Sequence, residues 1–167
     1  MSEPVTLSFA RPSAAPKGVL IVLTDESLAF GPATQKLLKG ADATLTRAFD
    51  AERYKGKAFS SVEILAPAGL DAPRLVVISV GKAADLKTTD FLKLGGVCAG
   101  KIPSAVREAT MLLDLPGTRF APEAAADVAM GLKLRAYTFD RYKTRNKEDG
   151  ERGALSVTLQ LADDAAA

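Results

Sequence analysis

The side chains that most often carry out catalysis are scarce in this sequence. Histidine is absent from its 167 residues, and Cys98 is the single cysteine. Serine–histidine and cysteine–histidine catalysis, imidazole acid–base chemistry and histidine-ligated zinc are therefore excluded within these residues. Cys98 falls on the apolar face of a predicted helix without a base to activate it, so we expect a buried core residue and not a nucleophile.

Two pairs of adjacent carboxylates are the next candidates. Asp25 and Glu26 follow a predicted strand, and Asp163 and Asp164 lie among the last residues. Paired carboxylates perform acid–base chemistry when their side chains converge in a pocket, which neighbours on one loop rarely do. We predict no catalytic role for either pair.

A candidate phosphate site lies at Ser79–Asp90, where a predicted strand ends in Gly81 and Lys82 before a helix begins. Ligands of open α/β sheets gather beyond the carboxyl ends of strands, and a helix N-terminus attracts phosphate. The segment has one glycine where a dinucleotide fingerprint needs three, and it has no Walker A pattern. An ordinary turn is the preferred interpretation.

Aromatic and basic residues are concentrated in Gly131–Gly150, which holds Tyr137, Phe139 and Tyr142. Between residues 133 and 152 there are seven Lys or Arg and four acidic residues. Such a segment could stack on single-stranded nucleic acid. The net charge of +2 disfavours nucleic acid, however, and we expect the aromatics to close the core while the charges form a solvated, mobile loop.

The elements that must position these residues alternate between strand and helix. Apolar runs predict strands within 5–10, 18–24, 59–69, 74–80, 108–117 and 154–162, and helices within 31–40, 41–56, 88–102 and 121–143. Thr88 or Thr89 is a plausible N-cap, and Pro122 fits a first turn. Glycines in the third helix suggest close packing onto the sheet.

This alternation predicts an α/β fold with a mixed, largely parallel central sheet flanked by helices. The alternating terminal strands suggest antiparallel or edge additions. We expect one domain over residues 1–162, with 163–167 as a frayed tail or the start of a linker. The N-terminus lacks a signal peptide and no apolar run could span a bilayer, so we expect no membrane partner and a cytoplasmic location.

One segment resembles a known family. Gly131, Leu134, Tyr137, Phe139, Asp140, Tyr142 and Lys143 match, in order and spacing, a pattern near the end of the N-terminal domain of leucyl aminopeptidases, the cytosol aminopeptidase family. The strand before Gly81 and Lys82 is similar to a second family segment, although the first glycine of its Gly-Leu-Gly-Lys turn is absent.

The resemblance implies a macro-domain-like fold and a parent enzyme with a C-terminal catalytic domain. In that family the catalytic domain binds two divalent metals, commonly zinc, manganese or magnesium, and the parent forms a homohexamer that releases N-terminal amino acids from peptides. The metal-binding signature Asn-Thr-Asp-Ala-Glu-Gly-Arg is absent here. We therefore expect no catalytic, cofactor-binding or metal-binding residue in this chain, no activity from it alone, and a role in hexamer assembly and substrate access.

Two alternatives remain open from the sequence. A macro-like module would bind ADP-ribose or a related nucleotide; Asp25 could stand for its early aspartate, but nothing supplies its glycine-rich phosphate loop. A DNA-binding accessory domain is the other alternative, disfavoured by the near-neutral charge.

Overall fold

The computed structural model describes residues 5–11, 18–70, 72–103, 105–116, 120–142 and 155–161, with the backbone alone described at 84 and 137–142. Within these residues six strands form one sheet in the order β1-β6-β5-β2-β4-β3. Their bounds are β1 Thr6–Ala10, β2 Val19–Thr24, β3 Ser61–Leu65, β4 Arg74–Ser79, β5 Glu108–Leu113 and β6 Ser156–Leu161. The predicted α/β class with a mixed, largely parallel sheet is confirmed.

The antiparallel strand is β3, not a terminal strand. It pairs antiparallel with β4, while the other four pairings in the sheet are parallel. Only eight residues join β3 to β4, too few for the crossover that a parallel pair requires. Of the two terminal strands, β1 is an edge strand and β6 lies between β1 and β5.

The alternating pattern of β6 does not give this strand a solvent-facing side along its whole length. Gln160 is buried and Thr158 is partly buried, whereas Ser156 is exposed. An interior strand has neighbours on both sides, so alternation in the sequence does not by itself predict a solvent-facing side.

In the described part of the chain, four α-helices flank the sheet: α1 Pro32–Leu38, α2 Asp42–Glu52, α3 Thr88–Gly100 and α4 Pro122–Tyr142. The predicted N-cap of α3 is wrong by one or two residues, because the cap is Lys87. The backbone N–H of Lys87 donates to the Asp90 carboxylate at 2.9 Å, which holds the start of the helix through its third residue.

Among the residues that the structure describes, two apolar clusters lie on opposite faces of the sheet. One packs α1 and α2 against alternate residues of β2 and β4, such as Leu20 and Val77. The other packs α3 and α4 against the intervening residues, such as Ile21 and Ile78. This two-sided burial explains why β2 and β4 are continuously apolar in the sequence.

The helical glycines serve the contact between α3 and α4. A Cβ atom at Gly95 would lie 2.1 Å from the Val128 carbonyl oxygen, and one at Gly131 would lie 2.0 Å from that of Leu92. The predicted packing of α3 onto the sheet is confirmed by the burial of Cys98 in the same cluster as the strands, but the atoms nearest to Gly95 belong to α4. Because glycine has no side chain, the backbones of α3 and α4 come into contact here.

Candidate functional site

The crevice between the carboxyl ends of β2 and β5 is where this topology would place a ligand. After β2 the chain continues to β3, which lies on the β4 side of β2, and after β5 it continues to β6 on the opposite side. Open α/β sheets bind ligands outside the carboxyl ends of two strands whose connections diverge in this way.

Asp114 lies at the carboxyl end of β5, at the edge of this crevice. It directly follows β5, and only 6% of it is exposed. Its Oδ2 accepts hydrogen bonds from the backbone N–H of Thr34 at 3.0 Å and the Thr34 hydroxyl at 3.3 Å, in the first turn of α1. A Cβ atom at Gly31 would lie 2.4 Å from the same carboxylate. The side chain of Asp114 thus occupies the helix end where a phosphate would bind.

Sequence reasoning missed Asp114. Its signal is an acidic residue directly after a buried strand, together with a helix that begins at Gly31-Pro32 without a capping side chain of its own. The residue that replaces a local cap here lies 80 positions away in the chain, and only the sheet brings the two together.

Asp25, the candidate for an early ligand-binding aspartate, also bonds within its own loop. Its Oδ1 accepts hydrogen bonds from the backbone N–H and hydroxyl of Ser27, at 2.9 and 2.7 Å, and from the backbone N–H of Ala29 at 3.0 Å. Glu26 is exposed, and its backbone N–H donates to the carbonyl oxygen of Gly81. The second predicted carboxylate pair, Asp163 and Asp164, lies outside the described residues.

Ser79 lies buried at the end of β4 beneath residues 56–59. Its hydroxyl donates to the carbonyl oxygen of Gly56 at 2.7 Å and accepts from the backbone N–H of Gly81 at 3.1 Å. The backbone N–H of Phe59 donates to the carbonyl oxygen of Ser79 at 2.7 Å. The Gly81 amide, which a phosphate at this turn would need, therefore already has a partner.

Tyr54 and Lys93 hold the same loop against the domain. The Tyr54 hydroxyl donates to the carbonyl oxygen of Ser60 at 2.9 Å, and burial raises the pKa of Tyr54. The Lys93 ammonium lies 4.5 Å from the centre of the Phe59 ring. Phe59 has a φ of 63°, so an aromatic residue is held in a left-handed conformation by these contacts.

An open groove of about 810 Å³ lies beside the start of α3, within the candidate phosphate segment. It is lined by Asp85, Leu86, Lys87, Thr89 and Asp90. Two acidic residues and one lysine are among these lining residues, and the Asp90 carboxylate already accepts the cap hydrogen bond. The groove has the wrong balance of charge for a phosphate.

Cys98 is fully buried, as its position on an apolar helix face indicated. Burial raises the pKa of its thiol far above the usual range, because the thiolate would have no water around it. The reactive form of the side chain is therefore suppressed.

Metal ligands do not converge in the part of the chain that the structure describes. No group of three or more Cys, Asp or Glu residues there is placed to hold a metal ion.

The aromatic cluster can be placed only in part. The backbone of Tyr137, Phe139 and Tyr142 continues α4, but their side chains lie outside the described residues, as does the charged segment 143–152. Their structural role and the mobility of the segment stay predictions. No helix among the described residues is long and apolar enough to cross a membrane.

Comparison with known proteins identifies the domain. The model of the cytosol aminopeptidase family, N-terminal domain, matches residues 21–146. A protein named "Probable cytosol aminopeptidase" from Xanthobacter autotrophicus is 74% identical over 99% of this chain, and one of the same name from Afipia carboxidovorans is 46% identical over all of it. The chain covers 33% of each, so it spans about a third of the length of these relatives.

Solved structures agree on the fold. A mutant of tomato leucine aminopeptidase superposes with a TM-score of 0.74 at 17% identity, covering 98% of this chain and 34% of that one. The bottromycin maturation enzyme BotP superposes with a TM-score of 0.54 over 89% of this chain. The match to the family model covers most of the chain, so the chain belongs to the cytosol aminopeptidase family and corresponds to its N-terminal domain.

Proposed function

We propose that this chain is the non-catalytic N-terminal domain of a longer, metal-dependent aminopeptidase that releases N-terminal amino acids from peptides in the cytoplasm. The observation that carries the proposal is the match to the family's N-terminal domain by a chain one third as long as its relatives. The peptide-cleaving chemistry belongs to the other two thirds of such a protein.

The chemistry of the described residues supports this division. Two-metal hydrolysis needs carboxylates that converge on both ions at one reacting centre. Here the most buried carboxylate, Asp114, is committed to the start of α1, and Asp25 is committed to its own loop. The family's two divalent metals, manganese or zinc, are therefore assigned to the catalytic part.

The domain's own contribution is assembly of a hexamer and control of substrate access. Support comes from the family resemblance and from the hydrogen bonds that join the loops at the strand ends to one another. A domain that holds no substrate of its own still contributes surface to an assembly.

Peptidase assays test the catalytic division. We expect no hydrolysis of leucine p-nitroanilide by residues 1–167 with manganese or zinc, and metal-dependent hydrolysis by the full-length protein. The matched control is the full-length protein treated with a chelator. Turnover by residues 1–167 that persists through repurification would overturn the proposal, as would a full-length protein that is inactive with both metals.

Light scattering coupled to size exclusion tests the role in assembly. The full-length protein is compared with a version that lacks residues 1–162, and we expect the shortened version to form a less stable hexamer. An equally stable hexamer with unchanged kinetics for short and long peptides would contradict both the assembly and the access role.

A further inference from the structure

Two loops meet at the carboxyl ends of β2 and β4. One is residues 25–29, which follow β2, and the other is residues 53–60, which lie between α2 and β3. A Cβ atom at Gly56, in the second loop, would lie 2.8 Å from the carbonyl oxygen of Glu26 and 3.0 Å from Cδ2 of Leu28, in the first. The two loops are therefore in direct contact, and we call the pair the cap.

The end of β4 is bonded to both loops of the cap. The buried Ser79 hydroxyl donates to the carbonyl oxygen of Gly56 at 2.7 Å, and the carbonyl oxygen of Asp25 lies 3.4 Å from it. The carbonyl oxygen of Gly81 accepts from the backbone N–H of Glu26 at 2.9 Å. Ser79 thus contacts both loops, so displacement of one loop disturbs the hydrogen bonding of the other.

Backbone strain opposes the closed position of the cap. Leu28 and Phe59, one in each loop, both have a φ of 63°. Such values are uncommon and strained for residues other than glycine. The structure describes every residue of the cap, and Gly56, which has no side chain, is the only buried one among them. A segment with strained backbone and few buried apolar contacts opens at a lower free energy than the core of a domain.

The strands next to the cap are interior strands of the sheet, and β2 is buried along its whole length. We propose that the cap is a conformational gate whose two loops open together, as one cooperative unit, while the sheet stays folded. In the closed form the Ser79 hydroxyl and the carbonyl oxygen of Gly56 are bonded to each other. Opening exposes them at the edge where open α/β sheets bind ligands. This inference does not depend on the proposed function, because all of these contacts lie within the domain.

Native-state hydrogen exchange tests whether the two loops open together. The reporters are the backbone N–H groups of Glu26 and Phe59, one in each loop, which donate to the carbonyl oxygens of Gly81 and Ser79. Val77, in the interior strand β4, reports on unfolding of the sheet. We expect Glu26 and Phe59 to share one protection factor, lower than that of Val77. Urea should change it little, because opening of the cap exposes little surface.

Two reciprocal variants of the 167-residue chain separate coupled from independent opening. Asp25→Ala removes hydrogen bonds within the first loop, and Tyr54→Phe removes the hydroxyl that donates within the second. The protection factors of Glu26 and Phe59 should fall by the same factor in each variant. That factor should be about 10-fold for Asp25→Ala and about 3-fold for Tyr54→Phe.

Val157→Ala is the matched control, because Val157 is buried in β6 and β5 separates this strand from β2. It should lower the protection of Val77 and leave Glu26 and Phe59 unchanged, since its contacts persist while the cap is open. A loss of protection confined to the loop that carries the substitution would mean that the two loops open independently. Equal losses at all three amides in Val157→Ala would mean that the cap opens only when the whole domain unfolds. Either result overturns the inference.

Discussion

The contact between α3 and α4 makes a sharp prediction about two glycines that look alike in sequence. Replacing Gly131 by alanine places a Cβ atom 2.0 Å from the Leu92 carbonyl oxygen, whereas at Gly96 the nearest atom is 4.0 Å away. Normal contacts exceed 3.0 Å, so Gly131→Ala forces the two helices apart by about 1 Å. Both atoms that approach Gly131 most closely belong to the backbone of Leu92, so no rotamer change relieves the clash.

The magnitudes follow from two opposing effects. Overpacking costs about 1–3 kcal/mol, and a clash between backbones belongs at the upper end of that range. Alanine gains about 1 kcal/mol over glycine inside a helix. Gly131→Ala should therefore lower the free energy of unfolding by about 1–2 kcal/mol. In a domain of this size that corresponds to a melting temperature lower by about 2–8 °C. Gly96→Ala should raise the free energy of unfolding by about 0.5–1 kcal/mol.

Urea titration and scanning calorimetry of both variants check the prediction. The double variant Gly95→Ala with Gly131→Ala adds a second test, because one outward shift of α4 relieves both clashes. Its cost should be smaller than the sum of the two single costs. If Gly131→Ala is as stable as the unchanged protein, or if Gly96→Ala is the more damaging change, the close approach of the two helices is not what these glycines provide.

Three further predictions concern other parts of the domain. Asp114→Ala leaves the buried N–H of Thr34 without its acceptor and should lower the free energy of unfolding by about 1–3 kcal/mol, with less effect from Asp114→Asn, as measured by urea titration. Burial raises the pKa of Cys98, so the unfolded chain releases this proton at a lower pH than the folded domain does. The contribution of Cys98 to the free energy of unfolding should therefore be constant below about pH 8.5 and should fall above it. The part of the loss that is due to Cys98 should be absent in Cys98→Ala. Residues 1–167 should be a monomer, or at most a weak dimer, by light scattering at micromolar concentration; a stable hexamer would mean that this domain drives assembly.

Much of the architecture was determined by the sequence alone. The continuous apolar runs of β2 and β4 indicate strands buried on both faces, and the helical spacing of apolar residues in α4 indicates a buried side at Val128 and Leu132, as the structure has them. These patterns are local, because the spacing of apolar residues within one segment indicates whether one side of a helix or both faces of a strand are buried. The absence of histidine can be read directly from the sequence, and the burial of Cys98 can be predicted from it.

The pairing of distant segments was decided only by the tertiary structure. The sequence does not show that Asp114 caps a helix 80 residues earlier, that Gly95 and Gly131 meet across two helices, or that β6 lies inside the sheet. Each of these contacts joins residues far apart in the chain whose own neighbourhoods look ordinary. Their partners are chosen by the order of strands and the packing of helices, which depend on how all the apolar faces are buried at once.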